Sequence, residues 1–267
     1  MSVRARARRL ERRIATFVRG GIDATRGELG PPAAMFGSGT SLAAMLRTRE
    51  AIAAVFLRGD GIEIGALHQP LRVPASVRVR YVDRMPAPEL RRQYPELAAE
   101  PLVETDIIDD GEMLATIEGG TQDFLIANHF LEHCQNPILT VQNLFRVLKA
   151  GAVLYLAVPD KRFTFDVDRP CTRIEHLTRD FVEGPGWSRQ EHFEEWVRLV
   201  NKRTDEAQVA EEARLLIEMD YSIHFHVWGA AELVELVAAL QRYVRFELEL
   251  FLRNGFETIL ILRKPAG

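Results

Sequence analysis

The chain is poor in cysteine. Cys134 and Cys171 are its only two, far apart and in no paired motif. That excludes a disulfide framework and points to a reducing cytoplasm. There is no apolar run of about 18 residues, so no membrane span is expected. The start lacks the compact apolar stretch and small-residue cleavage site of a secretory signal. Positive charge is not in excess: the net charge is -4, which gives no general case for a nucleic-acid partner. Internal repeats and low-complexity tracts are also missing.

What is present is material for a core. Hydrophobic residues make up 47% of the 267 residues, which excludes global disorder and suits one α/β domain with additions. Residues 1–58 read as an N-terminal helical arm. Arg4, Arg6, Arg8, Arg9, Arg12, Arg13 and Arg19 surround Leu10, Ile14, Phe17 and Val18, which share one helical face. This is either a solvated helix or a docking surface for a membrane or a partner. Gly30-Pro-Pro32 and Gly37-Ser-Gly39 break the pattern, and Thr40 or Ser41 is placed to cap a helix running to Phe56.

Residues 59–267 read as one domain. Strand candidates are Gly61–Ile64, Val77–Val82, Glu104–Asp106, Phe124–Ala127 and Val153–Val158, with helical stretches at 86–99 and 138–149. That alternation predicts a parallel, doubly wound sheet. Residues 160–225 are charged and rich in aromatics and histidine, with helical patterns near 189–203 and 205–219; they read as a helical cap inserted over the strand ends. An amphipathic helix at 229–240 follows. Then Asn254-Gly255 lies between β-prone runs at 244–252 and 256–262 and predicts an antiparallel hairpin. The densest chemistry is Asp123 to Pro137, a strand ending in Asn128-His129 with Glu132-His133 just beyond it. Open α/β sheets bind ligands at that carboxyl edge.

The order of elements and five local motifs resemble the class I S-adenosylmethionine-dependent methyltransferases. Glu63-Ile-Gly65-Ala-Leu67-His68 is similar to that family's acid and glycine loop. Asp83 ends the second strand, about twenty residues after the glycine turn, as a nucleoside-binding unit requires. Asp106-Ile107 follows the third strand. Leu131-Glu-His133 with Asn136-Pro137 looks like the fourth motif, and Arg146 to Gly151 with Leu154 to Pro159 like the fifth-strand signature. The resemblance implies a Rossmann-like, mostly parallel seven-stranded sheet with the C-terminal hairpin. It implies S-adenosylmethionine as cofactor, held by Glu63, Gly65, Leu67, Asp83, Asp106, Ile107 and Asn128, with Asp83 on the ribose and Asp106 with Ile107 at the adenine. The chain departs from the family in its loop: only Gly65 remains, and Leu67 and Gln69 stand where further glycines would be, so Leu67 is expected to narrow the pocket.

Methyl transfer to a hydroxyl needs a proton acceptor near neutral pKa. His133 is the first candidate, with His129, His226 and Asp160 beside it. Of His224 and His226, on one extended segment, one is expected inward and one outward. Lys161, Arg162 and Arg169 offer cations and Asp168 an acceptor of hydroxyls, which together suit a small polar acceptor. The pattern around Asp160-Lys-Arg162 and Asp168-Arg-Pro170 is similar to enzymes of bacterial surface polysaccharides, which implies O-methylation of a sugar or glycan precursor. Four other readings are open. His129-Phe-Leu-Glu132-His133 fits the H-x-x-E-H pattern of inverted zinc peptidases. Glu132 and His133 would also serve a metal within a methyltransferase. Asp166-Val-Asp168 fits a metal-holding sugar transferase. A fourth is a non-catalytic methyltransferase fold that only binds a partner.

Overall fold

A computed structural model describes residues 48–94, 97 and 99–267. The arginine-rich arm and the Thr40 and Ser41 caps lie outside the described residues. The helix before the sheet, α1 (Arg49–Phe56), is capped by Thr48, whose side chain accepts the Ala51 amide. It falls on the arm side of the boundary read at 58, yet buries Ile52, Ala53 and Leu57 against the sheet.

The strands are β1 (Asp60–Ile64), β2 (Arg78–Asp83), β3 (Ile107–Ile108), β4 (Gln122–Asn128), β5 (Leu148–Pro159), β6 (Glu247–Asn254) and β7 (Glu257–Arg263). They form one sheet in the order β3-β2-β1-β4-β5-β7-β6. The first five are parallel, and β7 runs antiparallel to both β5 and β6. The doubly wound sheet and its terminal hairpin are therefore as read from the sequence. Gly255 takes φ 63 in the hairpin turn, a left-handed conformation that favours glycine.

Several boundaries differ: β5 begins at Leu148 rather than Val153, and β6 at Glu247 rather than Val244. β3 is Ile107–Ile108 rather than Glu104–Asp106, because Asp106 spends its carboxylate on the Tyr81 amide before the ladder begins. No helix joins β1 to β2: residues 65–77 form an irregular loop, and α1 supplies the covering layer there through its contacts with Leu71 and Val77.

The opposite face is covered by α3 (Pro137–Val147) and α7 (Ala230–Leu240), with α2 (Ala87–Gln93) beside β2. The α3 helix starts cleanly because Asn136 accepts the Leu139 amide and Pro137 needs no donor at the first position. Its buried Ile138, Val141 and Leu144 pack with Leu125, Leu154 and Leu156 of the sheet, each side chain worth about 1.5–3 kcal/mol of burial. The insertion holds α4 (Ile174–Glu183), α5 (Arg189–Leu199) and α6 (Glu206–Glu218). It has its own small core of Phe193, Trp196, Val209, Leu216, Ile223 and Phe225.

Candidate active site

Strand register fixes which side chains share the carboxyl edge. One residue past the pairs Ile64–Val82 and Ile64–Ala127, the row reads Ile108, Asp83, Gly65, Asn128, Ala157. Gly65 has φ 63, donates its amide to the Val82 carbonyl, and faces open space where a Cβ would project. Leu67 also has a positive φ, 50. Its side chain packs against the cluster of Ala87, Leu90, Leu97 and Leu102, so it is drawn toward α2.

Glu63 is 1% exposed, and its two oxygens accept the Leu71 amide at 3.0 and 3.1 Å. Burial pushes its pKa up to about 7, against the Leu71 amide, the Arg49 charge and the nearby Asn128 side chain. Both amide atoms of Asn128 are buried without a partner of normal hydrogen-bond geometry. Asp83 accepts the Arg84 amide, and burial raises its pKa despite that bond.

The three acids do not converge. Glu63 and Asp83 reach the crest, but Asp106 is exposed beside Tyr81, behind it. The acid at the tip of β3 is Asp109, whose carboxylate is taken by the amides of Asp110, Ala115 and Thr116 and the Thr116 hydroxyl. Ile107 lines a different cleft, of about 670 Å³, with Asp60, Arg78, Arg80 and Gln122 at the amino ends of the strands.

Beyond Asn128 the chain turns sharply. His129 has φ 49 and Leu131–His133 form a single 3-10 turn. The helix that an H-x-x-E-H zinc site requires is therefore not formed. His129 Nε2 lies 2.9 Å from Glu257 Oε2, away from His133, and Arg49 also pairs with Glu257. Those two partners overcome burial and hold the Glu257 carboxyl down to about 2. Sequence reading missed Glu257; it is the first residue of a strand beside β5, and nothing local in the chain marks it.

Glu132 is 1% exposed and neither of its oxygens has a hydrogen-bond partner. Burial raises its pKa. One oxygen lies within 4.8 Å of ring nitrogens of His133 and His224. His133 places Nδ1 3.0 Å from the Ile223 carbonyl and 2.9 Å from the Ser222 hydroxyl. Burial and then the neighbouring His224 lower its pKa to about 3, which makes it a poor proton acceptor. His224 Nδ1 sits 2.7 Å from Asp166, which Arg169 also grips at 2.9 Å. The Asp166 carboxyl is held down to about 2, because His224 and Arg169 outweigh its burial.

The acceptor candidates separate sharply. Arg169 is 1% exposed and uses four of its five N–H donors on Asp166, Glu195 and the carbonyls of His224 and Phe225; buried and so engaged, it builds the wall rather than meeting a ligand anion. Asp168 pairs with Lys202 on the surface, pointing away from Asp166, so the two do not form a metal-holding pair. Asp160 is buried against Arg162, whose hydrogen bonds lower its pKa and engage its carboxylate. Lys161 donates to the Val167 carbonyl, and Arg162 remains half exposed beyond Asp160. His226 is fully buried, but on the other side of the segment from His224, among His176, Asp180 and His192. Both histidines thus point inward, because α4 and α5 cover the face expected to be outward.

A methyltransferase-domain family model matches residues 37–240. The chain belongs to the methyltransferase-domain family. It is a class I S-adenosylmethionine-dependent methyltransferase with a Rossmann-like sheet. Solved structures with this general likeness include a putative zinc-dependent alcohol dehydrogenase from Rhodobacter sphaeroides, at 13% identity over 79% of this chain and 86% of that one, TM-score 0.45. The PH0226 protein from Pyrococcus horikoshii follows at 17%, 78% and 82%, TM-score 0.42. A methyltransferase from Aquifex aeolicus stands at 12%, 77% and 81%, TM-score 0.40. A search of curated proteins gives no match. The crest of this methyltransferase fits its cofactor on its own terms: an open left-handed glycine turn, a buried acid at Glu63 and a half-buried one at Asp83 on adjacent strands, and an amide at Asn128 whose side-chain atoms lack a partner of normal hydrogen-bond geometry. Among the described residues, no helix is long and apolar enough to cross a membrane.

Proposed function

We propose that this methyltransferase acts on a hydroxyl of a small polar acceptor, such as a sugar or glycan precursor, with Glu132 taking the hydroxyl proton. S-adenosylmethionine supplies the methyl group, activated on a positively charged sulfur. Gly65, Glu63, Asp83 and Asn128 would hold it, with Asp83 accepting from the ribose hydroxyls.

The observation that carries the reading is the bare carboxylate of Glu132. A buried acid with no partner and a raised pKa is suited to accept a proton at neutral pH. Its neighbours are locked: Ile223 and Ser222 hold His133, and Asp166 holds His224. Those rings orient and fence the acid, so the base role passes from His133 to Glu132. Burial also favours loss of the sulfur's charge as the methyl group moves. Lys161 and Arg162 sit beyond the fifth strand and suit an anionic group on the acceptor, while Arg169 builds the wall.

The test is methyl transfer from labelled S-adenosylmethionine to a panel of sugars, sugar nucleotides, phenols and amines. Turnover of a sugar hydroxyl above the others is expected. Preference for an amine or a carbon acceptor would overturn the hydroxyl reading, leaving the family assignment in place.

A further inference from the structure

We propose that His176, Asp180, His192 and His226 form a binding site for a zinc-like divalent metal ion, separate from the proposed active site, that fastens the insertion to the methyltransferase core. The four residues come from three places: α4 supplies His176 and Asp180 one turn apart, α5 supplies His192, and the segment before α7 supplies His226.

The geometry is that of a ligand shell. One ligand atom from each residue falls within 4.8 Å of all the others. His176 Nε2 lies 3.0 Å from His192 Nε2 and 3.3 Å from Asp180 Oδ2, and His226 Nε2 lies 3.6 Å from the same oxygen. A tetrahedral ion with ligands at about 2.0–2.1 Å separates neighbouring ligand atoms by about 3.3–3.4 Å. Three imidazoles and one carboxylate suit zinc above calcium or magnesium.

Hydrogen bonding inside the protein does not account for the cluster. One shared proton would serve the His176–His192 pair, yet Asp180 Oδ2 is buried without a partner of normal hydrogen-bond geometry, although His176 Nε2 and His226 Nε2 lie 3.3 and 3.6 Å away. Neutral histidines are the ligating form. The supporting contacts are in place, since Ser188 donates to Asp180 Oδ1 and Asn136 to the Asp180 carbonyl. Phe225 and His226 donate their amides to the Glu132 carbonyl, so an ion here would tie α4 and α5 to the turn carrying the proposed base. Four protein ligands make a closed, structural site. His176, 24% exposed, offers the entry path.

The full chain, stripped with EDTA and desalted, would be titrated with Co(II) and then Zn(II). Expected are one equivalent of Co(II) with the intense visible absorption of a tetrahedral site, its displacement by Zn(II), and a melting temperature that rises with Zn(II) concentration. His176→Gln, at the most exposed ligand, should keep the wild-type circular dichroism, lose at least tenfold in affinity and lose the melting shift. Glu132→Gln should bind as wild type does. Absence of micromolar binding by the wild-type chain, a weak octahedral-type spectrum, full binding by His176→Gln, or loss of binding in Glu132→Gln would each overturn the proposal.

Discussion

The turn after β4 and the clamp in the insertion lie on opposite sides of His224 and treat buried polar groups in opposite ways. Around Arg169 four of five N–H donors are met, by Asp166, Glu195 and two carbonyls. At the tip of β4, Asn128 and Glu132 bury four polar atoms that meet no partner. Such groups each cost free energy unless a ligand completes them. The comparison separates architecture from function by a physical criterion. Around Arg169 a closed polar network holds the insertion, whereas the unpartnered atoms of Asn128 and Glu132, like Asp180 Oδ2, mark places where a ligand is proposed.

The sharpest way to break that comparison is to blunt the open side. Glu132→Gln keeps the shape of the side chain and removes its capacity to accept a proton. A fall in kcat of about 10²–10⁴ is expected, typical of losing a general base, with S-adenosylmethionine affinity changed little. Unaltered turnover, measured at saturating substrate, would move the base elsewhere. Blunting the closed side should appear in stability. Arg169→Met leaves the buried Asp166 with His224 alone and leaves Glu195 and two carbonyls without their donor, and should cost about 3–5 kcal/mol in urea unfolding. Lys202→Ala breaks the exposed pair with Asp168 and should cost at most about 1 kcal/mol. Equal costs would mean that Arg169 is not the clamp its contacts describe.

Much of the fold was legible because periodicity reports burial. The apolar runs at β4 and β5 and the Asn254-Gly255 turn each carry a local signal that the sheet fulfils. The site was legible only in part. The positions of Gly65, Asp83 and Asn128 along the crest follow from their place at strand ends. What lies beyond depends on long-range partners. Arg169 looked like a ligand-binding cation until His224 and Glu195 were seen to consume it. His226 looked like an active-site histidine until α4 and α5 placed it elsewhere. The arrangement His176-x-x-x-Asp180 with His192 does leave a trace, an i, i+4 pair of potential ligands in a histidine-rich stretch. It gains meaning only when three segments meet.

Acid titration sharpens the contrast through two glutamates. Glu257 is closed by Arg49 and His129, and its pKa falls from an ordinary 4.5 to about 2. A depressed carboxylate contributes stability that is present above about pH 4.5 and lost as pH falls toward 2. Glu63, insufficiently compensated, rises from 4.5 to about 7. Its contribution runs the other way: full below about pH 4.5, and lost as pH rises through 7. Each amounts to on the order of 3 kcal/mol at its limit. Urea midpoints from pH 8 to pH 3 should therefore rise and then fall. Glu63→Gln should flatten the rise and Glu257→Gln the fall. A rise that survives Glu63→Gln would show that another group titrates there.

The smallest effect expected concerns Asp83 and Asp106, which look alike in sequence, each an acid at a strand end. The register separates them. Asp83 stands level with Gly65 and Asn128 on the crest, with burial raising its pKa. Asp106 is exposed beside Tyr81 and already bonded to its amide. A hydrogen bond to a charged group is worth about 1.5–3 kcal/mol. Asp83→Ala should therefore weaken S-adenosylmethionine binding by roughly 10–150-fold in calorimetric titration, at that energy. Asp106→Ala should weaken it less than about twofold, since its removal frees only a backbone amide at an exposed edge. If the two variants lose affinity equally, the crest defined by the strand register is not where the nucleoside lies, and the cofactor must reach further along β3 than Asp83 and Gly65 require.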